Sequence, residues 1–151
     1  MRFLLIIFIS ILAYASNMQI LAKKFEYNKQ KGVSKFSGDV NVTKQKDNIL
    51  SQILYVYTNK DKKLKKMVAI KNVKFIIHDK NATYKGKSNK LTYIAPKEIF
   101  IFEGKVHITK LPENQQLFGE KVIIDKKNGT ANVDGKENKP LKFIIKVNDW
   151  K

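Results

Sequence analysis

Two histidines, His78 and His107, are the side chains of this sequence best suited to proton transfer near neutral pH. Each falls on an alternate position of a predicted strand that we expect to face solvent. The sequence has no cysteine, no G-x-S-x-G nucleophile motif, no phosphate-binding loop and no His/Cys set with metal-ligand spacing. Its carboxylates are scattered, without a recognisable pair. The sequence therefore predicts no catalytic residue, no metal site, no cofactor and no enzymatic activity.

The residues with regular spacing are apolar instead. Val40, Val73 and Val106 are separated by a constant interval of 33 residues. Two further series keep this interval: Val42, Phe75 and Ile108, and Phe36, Ala69 and Phe102. A fixed period in this range marks an array of one supersecondary unit. The sequence thus predicts three copies of one strand.

Each copy continues into a second strand. Its pattern opens on a small residue, which is Ser51, Ser88 or Gly119, and apolar residues follow three and five positions later. These apolar pairs are Leu54 and Val56, Leu91 and Tyr93, and Val122 and Ile124. Because an interval of three breaks the alternation of a strand, we predict a β-bulge at the small residue.

The period within each strand is two. In the first copy, Phe36, Val40 and Val42 share one face, and polar residues alternate with them. Turn-forming residues separate the strands, and no helical period follows residue 30. The pattern predicts an all-β fold of repeated antiparallel hairpins in a single domain, residues 16–151. A closed barrel, a two-sheet sandwich and an open roll all fit this pattern.

The N-terminus has the features of a secretory signal peptide. Arg2 precedes an apolar run over residues 3–12, and Ala13-Tyr14-Ala15 is a small-x-small cleavage site. We predict that residues 1–15 are removed after Ala15 and that the mature chain starts at Ser16. An uncleaved membrane anchor is the alternative, although a span needs roughly 20 residues. Without a cysteine, the chain cannot carry a lipoprotein anchor.

The formal net charge of +17 narrows the choice of partners. Arg2 is the only arginine, whereas nucleic-acid-binding proteins generally use arginine to bind guanine and phosphate. We therefore expect this lysine-rich protein to meet anionic lipid or sugar phosphate, and no nucleic acid. Lysines cluster early, over residues 23–31, but the sequence does not select which lysines contact phosphate.

The repeated strands carry a resemblance to a known family. GDVNVT over residues 38–43 and GKVHIT over 104–109 resemble the repeat of the LptA/OstA family of periplasmic lipopolysaccharide-transport proteins. Residues 21–38 resemble the first hairpin of that family, and residues 123–131 resemble its last. The likeness covers essentially the whole mature chain. It departs from the family at Lys71-Asn72, where the middle copy lacks the glycine.

The resemblance implies a fold and a function. The fold would be a twisted open β-jelly roll whose interior holds the acyl chains of lipid A, the lipid part of lipopolysaccharide. Molecules would join head to tail by strand pairing, and would bridge an LptC-type inner-membrane protein to an LptD-type outer-membrane protein. Proteins of the LptC type keep their N-terminal segment as an anchor, so an anchored subunit of the same machinery is the alternative.

The inward face of the three copies is the candidate lipid-binding groove. Its residues are Phe36, Val40, Val42, Leu54, Val56, Val73, Phe75, Leu91, Tyr93, Phe102, Val106, Ile108, Val122 and Ile124. From the pattern alone, these residues are expected to pack on one another as a dry core. The resemblance favours a groove that takes up alkyl chains. A secreted, basic glycan-binding protein with a dry β core remains the alternative from another functional class.

The C-terminal segment has the pattern of a strand available for pairing. Residues 141–147 alternate apolar residues with Lys142 and Lys146, and no proline follows Pro140. Unpaired sheet edges usually carry lysine, proline or bulges that block association, and this strand has lysines on one face but no proline in its backbone. We predict that this strand adds to the N-terminal edge of the next molecule.

Overall fold

The computed structural model describes residues 18–145, which form ten β-strands. The strands are β1 (Met18–Leu21), β2 (Lys24–Asn28), β3 (Val33–Lys44), β4 (Asp47–Thr58), β5 (Leu64–His78), β6 (Thr83–Ile94), β7 (Ile99–Leu111), β8 (Gln115–Asp125), β9 (Thr130–Asp134) and β10 (Lys142–Ile144). The three repeat units are β3–β4, β5–β6 and β7–β8. The predicted all-β class and the repeated hairpins are confirmed.

The strands form one antiparallel sheet in which β3 to β8 pair in sequence order. At each end of the sheet, two short strands take the place of one long strand. β1 and β2 pair with different parts of β3, and β9 and β10 pair with different parts of β8. Among residues 18–145, no ladder joins the first strands to the last. Of the three architectures that fit the sequence, the open roll is the one observed.

The register shifts once in each unit, at a bulge on the first strand. Ser37 pairs with Ile53 and Val40 pairs with Ser51, so two residues of β3 face one residue of β4. In all three copies, the two residues of the first strand that form the bulge have positive φ. They are Gly38-Asp39 (84° and 45°), Lys71-Asn72 (69° and 55°) and Gly104-Lys105 (81° and 48°). Left-handed backbone favours glycine, which occupies the first position in two copies.

The predicted location of the bulge on the second strand is therefore wrong. The alternation of the second strand does break, because Ser51 and Leu54 are both buried although they are three residues apart. However, the extra residue belongs to the first strand, where glycine permits the left-handed turn. The buried hydroxyls of Ser51 and Ser88 donate to the carbonyl oxygens of Ile53 and Lys90, each at 3.0 Å. In these two copies, the serine thus supplies a hydrogen-bond donor to a backbone carbonyl opposite the bulge.

The bulges align across the sheet and divide it into two half-sheets. The first half-sheet comprises residues 24–28, 33–37, 53–58, 64–70, 90–94, 99–103, 121–125 and 130–134. The second comprises residues 18–21, 40–44, 47–50, 73–78, 83–87, 106–111, 115–118 and 142–144. The break between β1 and β2 lies on the same line, where the amide of Lys23 donates to the carbonyls of Ser37 and Gly38, each at 3.1 Å. We call this line, which runs through residues 38–39, 71–72 and 104–105, the bulge line. It bends every long strand.

A single apolar core lies between the half-sheets. Phe102 on the first half-sheet and Phe75 on the second bring their ring centroids within 4.4 Å of each other. Phe102 is fully buried, and the core cluster draws on β3 to β8. The bend therefore turns the inner faces of the two half-sheets toward each other.

The predictions for the two ends of the chain are confirmed only in part. β10 spans three residues, and the end of the predicted strand, residues 146–147, lies outside the described residues. The predicted signal peptide and its cleavage site also lie outside them. Within residues 18–145, no helix has the length and apolar character that a membrane span requires.

Candidate functional site

All fourteen residues of the predicted groove face the space between the half-sheets. Twelve of them belong to the buried core cluster, whereas Phe36 and Tyr93 are half-buried and pack against it. The alternation within the strands thus places them correctly on the inner face, which the repeat unites into one apolar interior. Their contact with a lipid is a separate matter, taken up as a proposal below.

Five further members of this interior are not among the fourteen predicted groove residues: Ile49, Met67, Ala69, Ile77 and Phe100. Met67, Ile77 and Phe100 lie two residues from Ala69, Phe75 and Phe102, which belong to the 33-residue series, whereas Ile49 lies two residues before the buried Ser51. Extending the alternation of the series by one step finds Met67, Ile77 and Phe100, but it does not reach Ile49, which lies beyond the break between Ser51 and Leu54. The apolar interior therefore continues toward the strand ends.

The interior offers almost no polar chemistry. Its buried polar residues are Ser34, Ser51 and Ser88, and no buried side-chain polar atom among the described residues lacks a hydrogen-bond partner. An environment of this kind cannot stabilise charge, but it favours hydrocarbon. Chemically, the interior is suited to holding apolar chains.

Aromatic rings fill the middle of the interior. Phe102 contacts Phe75 across the half-sheets, and its ring centroid lies 6.3 Å from that of Phe100. Phe100 in turn lies 4.6 Å from Tyr93. In this conformation the side chains of the two half-sheets meet, so the expected open groove is closed at its centre.

A cavity remains where the ends of the two half-sheets face each other, and we call this region the mouth. The second half-sheet contributes six of its lining residues, the first contributes four, and the turns that adjoin the first contribute Glu98 and Lys126. They are Met18, Val42, Lys44, Asp47, Ile49 and Ile77, and Leu64, Met67, Tyr93, Glu98, Phe100 and Lys126. The mouth thus combines an apolar floor with a charged rim.

One ion pair crosses the mouth. Lys126 Nζ, on the first half-sheet side, lies 3.9 Å from Asp47 Oδ2, on the second. Asp47 is held in place because its Oδ1 accepts from the amide of His78 at 2.7 Å and lies 3.3 Å from the His78 ring nitrogen Nδ1. Lys126 also lies 5.8 Å from the ring centroid of Phe100. These contacts make a weak latch between the half-sheets.

The environment of Tyr93 reflects the dry, acidic side of the mouth. Burial raises the pKa of Tyr93 above its ordinary value, and the nearby carboxylates of Glu98 and Asp47 act in the same direction. The phenol therefore stays neutral at physiological pH and presents its ring to the interior.

The two histidines lie on the outer face of the second half-sheet, as predicted. His107 stacks on Phe118 with ring centroids 4.2 Å apart, and its Nε2 lies 3.1 Å from Gln116 Oε1. The backbone amide of His78 donates to Asp47, which lines the mouth. Between residues 18 and 145, no group of three or more metal-ligating side chains is assembled.

The comparisons with known proteins decide the family. The family profile described as "LptA/(LptD N-terminal domain) LPS transport protein" matches residues 19–130, which extend from β1 to the start of β9. The chain belongs to this family. No curated protein matches the sequence. The family resemblance drawn from the repeated strands is thus confirmed.

A solved structure of similar fold supports the architecture. It is the crystal structure of LptH, the LptA-homologous periplasmic component of the lipopolysaccharide transport device of Pseudomonas aeruginosa. The TM-score is 0.75 at 13% sequence identity, over 87% of this chain and 96% of that one. The fold of this LptA/LptD-type domain is accordingly an open β-jelly roll, as the resemblance implied.

Proposed function

We propose that this LptA-like protein is a periplasmic carrier of lipopolysaccharide that holds acyl chains between its two half-sheets. One observation carries the proposal: the repeated apolar faces of a chain in this transport family converge on a single interior without unsatisfied polar atoms. Transferring alkyl carbon from water to such an interior yields about 0.8 kcal/mol per CH₂. A few chain segments then suffice to hold the lipid.

Loading requires the half-sheets to separate, since Phe75 and Phe102 meet at the centre. The bulge line is the natural hinge for this motion. Each half-sheet keeps its own ladder hydrogen bonds when the mouth widens, so the motion breaks side-chain packing rather than strand pairing. Acyl chains that enter replace the contacts between Phe75 and Phe102 with contacts of their own.

The charged rim gives the mouth a role in selecting the lipid. Lys44 and Lys126 are the lysines that line the cavity, and they are suited to the phosphates of lipid A. Asp47 competes for Lys126 when no lipid is present. The early lysines are less suitable, because Lys23 pairs with Asp39 at 3.0 Å and Lys24 with Glu26 at 3.5 Å, away from the mouth.

The open ends of the sheet support the proposed bridge. Leu21 and Tyr27 are exposed on the N-terminal edge strands, and Phe143 and Ile144 are exposed on β10. Strand addition at these edges joins molecules head to tail, and joins the ends of the chain of molecules to LptC-type and LptD-type partners. The periplasmic location follows from the predicted signal peptide, residues 1–15.

Photocrosslinking of neighbouring residues tests the carrier function. Phe75 is buried in the interior, whereas Lys74 is exposed on the outer face of the same strand. A photoreactive residue at Phe75 should capture labelled lipopolysaccharide in cells, and one at Lys74 should not. Equal capture at both positions, or crosslinks at Phe75 only within the protein, would refute the carrier and favour the basic, dry-core glycan-binding protein.

The anchored alternative is distinguished by the N-terminus of the exported protein. A start at Ser16 supports the soluble bridge. A retained Met1 assigns the chain to the anchored, LptC-like position in the same machinery.

A further inference from the structure

The two half-sheets differ on their outer faces. On the first half-sheet, Tyr55, Val68, Thr92, Ile101 and Ile123 are register neighbours in one continuous row across five strands. All five are half-buried, and no described element covers them. We call this row, together with the adjoining Tyr57, the apolar outer face.

The corresponding row of the second half-sheet is polar. There Asn48, Ile76, Lys85, Thr109 and Gln116 are register neighbours across β4 to β8. Both rows belong to the same strands and need the same strand-forming tendency. The difference in polarity between the two rows therefore does not follow from strand propensity. The apolar outer face needs another explanation.

Charge is distributed with the same asymmetry. The four turns at the free end of the first half-sheet, residues 29–32, 59–63, 95–98 and 126–129, carry eight lysines against Asp61 and Glu98. The three turns at the free end of the second, residues 45–46, 79–82 and 112–114, carry two lysines and two acidic residues. The lysine-rich turns border the apolar outer face along one side.

Lysines also lie within the outer surface beside tyrosines. Lys66 Nζ lies 4.7 Å from the ring centroid of Tyr57, and Lys35 Nζ lies 5.9 Å from that of Tyr55. Tyrosine and lysine both place an apolar body in a hydrocarbon boundary and a polar tip in water.

Acidic residues of this surface have local partners. Glu26 pairs with Lys24 at 3.5 Å, and Glu103 lies in register between Lys90 and Lys121. Asp125 accepts two hydrogen bonds from Asn128, at 3.0 and 2.9 Å. These carboxylates therefore do not cancel the positive potential of the lysine-rich turns.

We propose that the apolar outer face and the lysine-rich turns dock this protein on an anionic membrane surface. The turns attract the headgroups, and the tyrosines and isoleucines enter the boundary of the acyl region. A second copy is a poorer occupant, because face-to-face pairing would bring two sets of lysine-rich turns together. Docking does not use the interior, so it adds a surface to the proposed carrier function without depending on it.

Vesicle binding tests the electrostatic part with matched variants. The exported protein is mixed with vesicles of phosphatidylglycerol and phosphatidylethanolamine, free of lipopolysaccharide, and its partition coefficient is measured by flotation. The quadruple variant Lys31→Gln, Lys60→Gln, Lys63→Gln and Lys97→Gln should lose affinity by at least about tenfold. The control with Lys46→Gln, Lys80→Gln, Lys85→Gln and Lys87→Gln has the same net charge and N-terminus, and should lose less than about threefold.

A fluorescence pair tests which face enters the lipid. Ile101→Trp lies on the apolar outer face and Ile76→Trp at the corresponding place on the second half-sheet. With anionic vesicles, the emission of I101W should shift to the blue and be quenched by brominated lipid, whereas that of I76W should not change. Phosphatidylcholine vesicles should leave both unchanged.

Three results would overturn the proposal. Equal losses of affinity in the two quadruple variants would show that the attraction depends on net charge alone and not on the position of the lysines. Equal responses of I101W and I76W, or no response of either, would remove the apolar outer face from the interaction. A blue shift of I101W that grows with protein concentration in the absence of vesicles would assign this face to a second copy of the chain.

Discussion

At the scale of the residue, the bulge line shows how one backbone conformation is encoded in different ways. Gly38 and Gly104 adopt positive φ without a Cβ, but Lys71 adopts φ of 69° at the same place in the middle copy. A side chain in left-handed backbone costs roughly 1–2 kcal/mol. At this first bulge position, the middle copy therefore stores strain that the other two copies avoid.

Replacing this lysine should stabilise the protein. We predict that Lys71→Gly raises the free energy of unfolding by about 1 kcal/mol, because glycine adopts the observed φ without steric cost. Urea denaturation measures the change. Lys74→Gly is the matched control, since this exposed lysine lies in ordinary strand backbone three residues later, and there glycine should lower stability by about 0.5–1 kcal/mol. A midpoint of Lys71→Gly at or below that of the parent protein would refute the argument.

Tyr93 makes stability sensitive to alkaline pH. Burial raises its pKa in the folded state, so the unfolded chain loses the phenolic proton first as pH rises. The contribution of Tyr93 is therefore complete below the ordinary tyrosine pKa of roughly 10 and is lost above it. We expect the unfolding free energy of Tyr93→Phe to fall less steeply than that of the parent protein above this pH. Parallel pH profiles would show that ionisation of Tyr93 does not oppose folding.

At the scale of the element, the sequence predicted the repeated strands and missed features that depend on how strands pair and bend. The constant interval and the alternation located the strands of all three units and their inner faces. The bulge was assigned to the wrong strand, because a broken alternation in one strand does not reveal which partner holds the extra residue. The contact of Asp47 with Lys126 follows no local pattern, since it depends on how far the strands bend. The interior residues Met67 and Phe100 were missed only because the strands run longer than expected.

The latch across the mouth should slow loading without contributing much to stability. Asp47 and Lys126 retain 25% and 28% exposure, and ion pairs near the surface contribute about 0–1 kcal/mol. We expect Asp47→Asn to change the unfolding free energy by less than about 1 kcal/mol and to speed uptake of fluorescent lipopolysaccharide. Stopped-flow mixing measures the uptake, with Asp61→Asn as the control, because Asp61 does not line the mouth. Uptake no faster than in the control would mean that the ion pair does not gate the mouth.

At the scale of the whole molecule, the open sheet leaves one edge at each terminus. The core cluster and its packing neighbours extend from Met18 to Val133, so β10 contributes little to folding. In the proposed bridge, the C-terminal strand therefore serves association while the jelly roll remains intact. The proposed loading motion uses the bulge line of this open architecture as its hinge.

Removing the C-terminal strand should separate association from folding. We predict that deletion of residues 141–151 leaves a folded monomer that no longer forms concentration-dependent oligomers, as sedimentation velocity would detect. Deletion of residues 146–151 alone is the control, because it retains β10. If the longer deletion oligomerises as the parent protein does, head-to-tail pairing through this strand is excluded.

The central claim is that acyl chains occupy the space between the half-sheets, and nuclear Overhauser effects test it most directly. The measurement uses protein that is deuterated except at isoleucine, leucine and valine methyls, mixed with protonated lipopolysaccharide. We predict cross-peaks from acyl methylene protons to Val73, Leu91 and Ile108, which line the interior, and none to Ile76 on the polar outer face. Cross-peaks confined to outward-facing methyls, with the interior methyls silent at saturating lipid, would contradict the account.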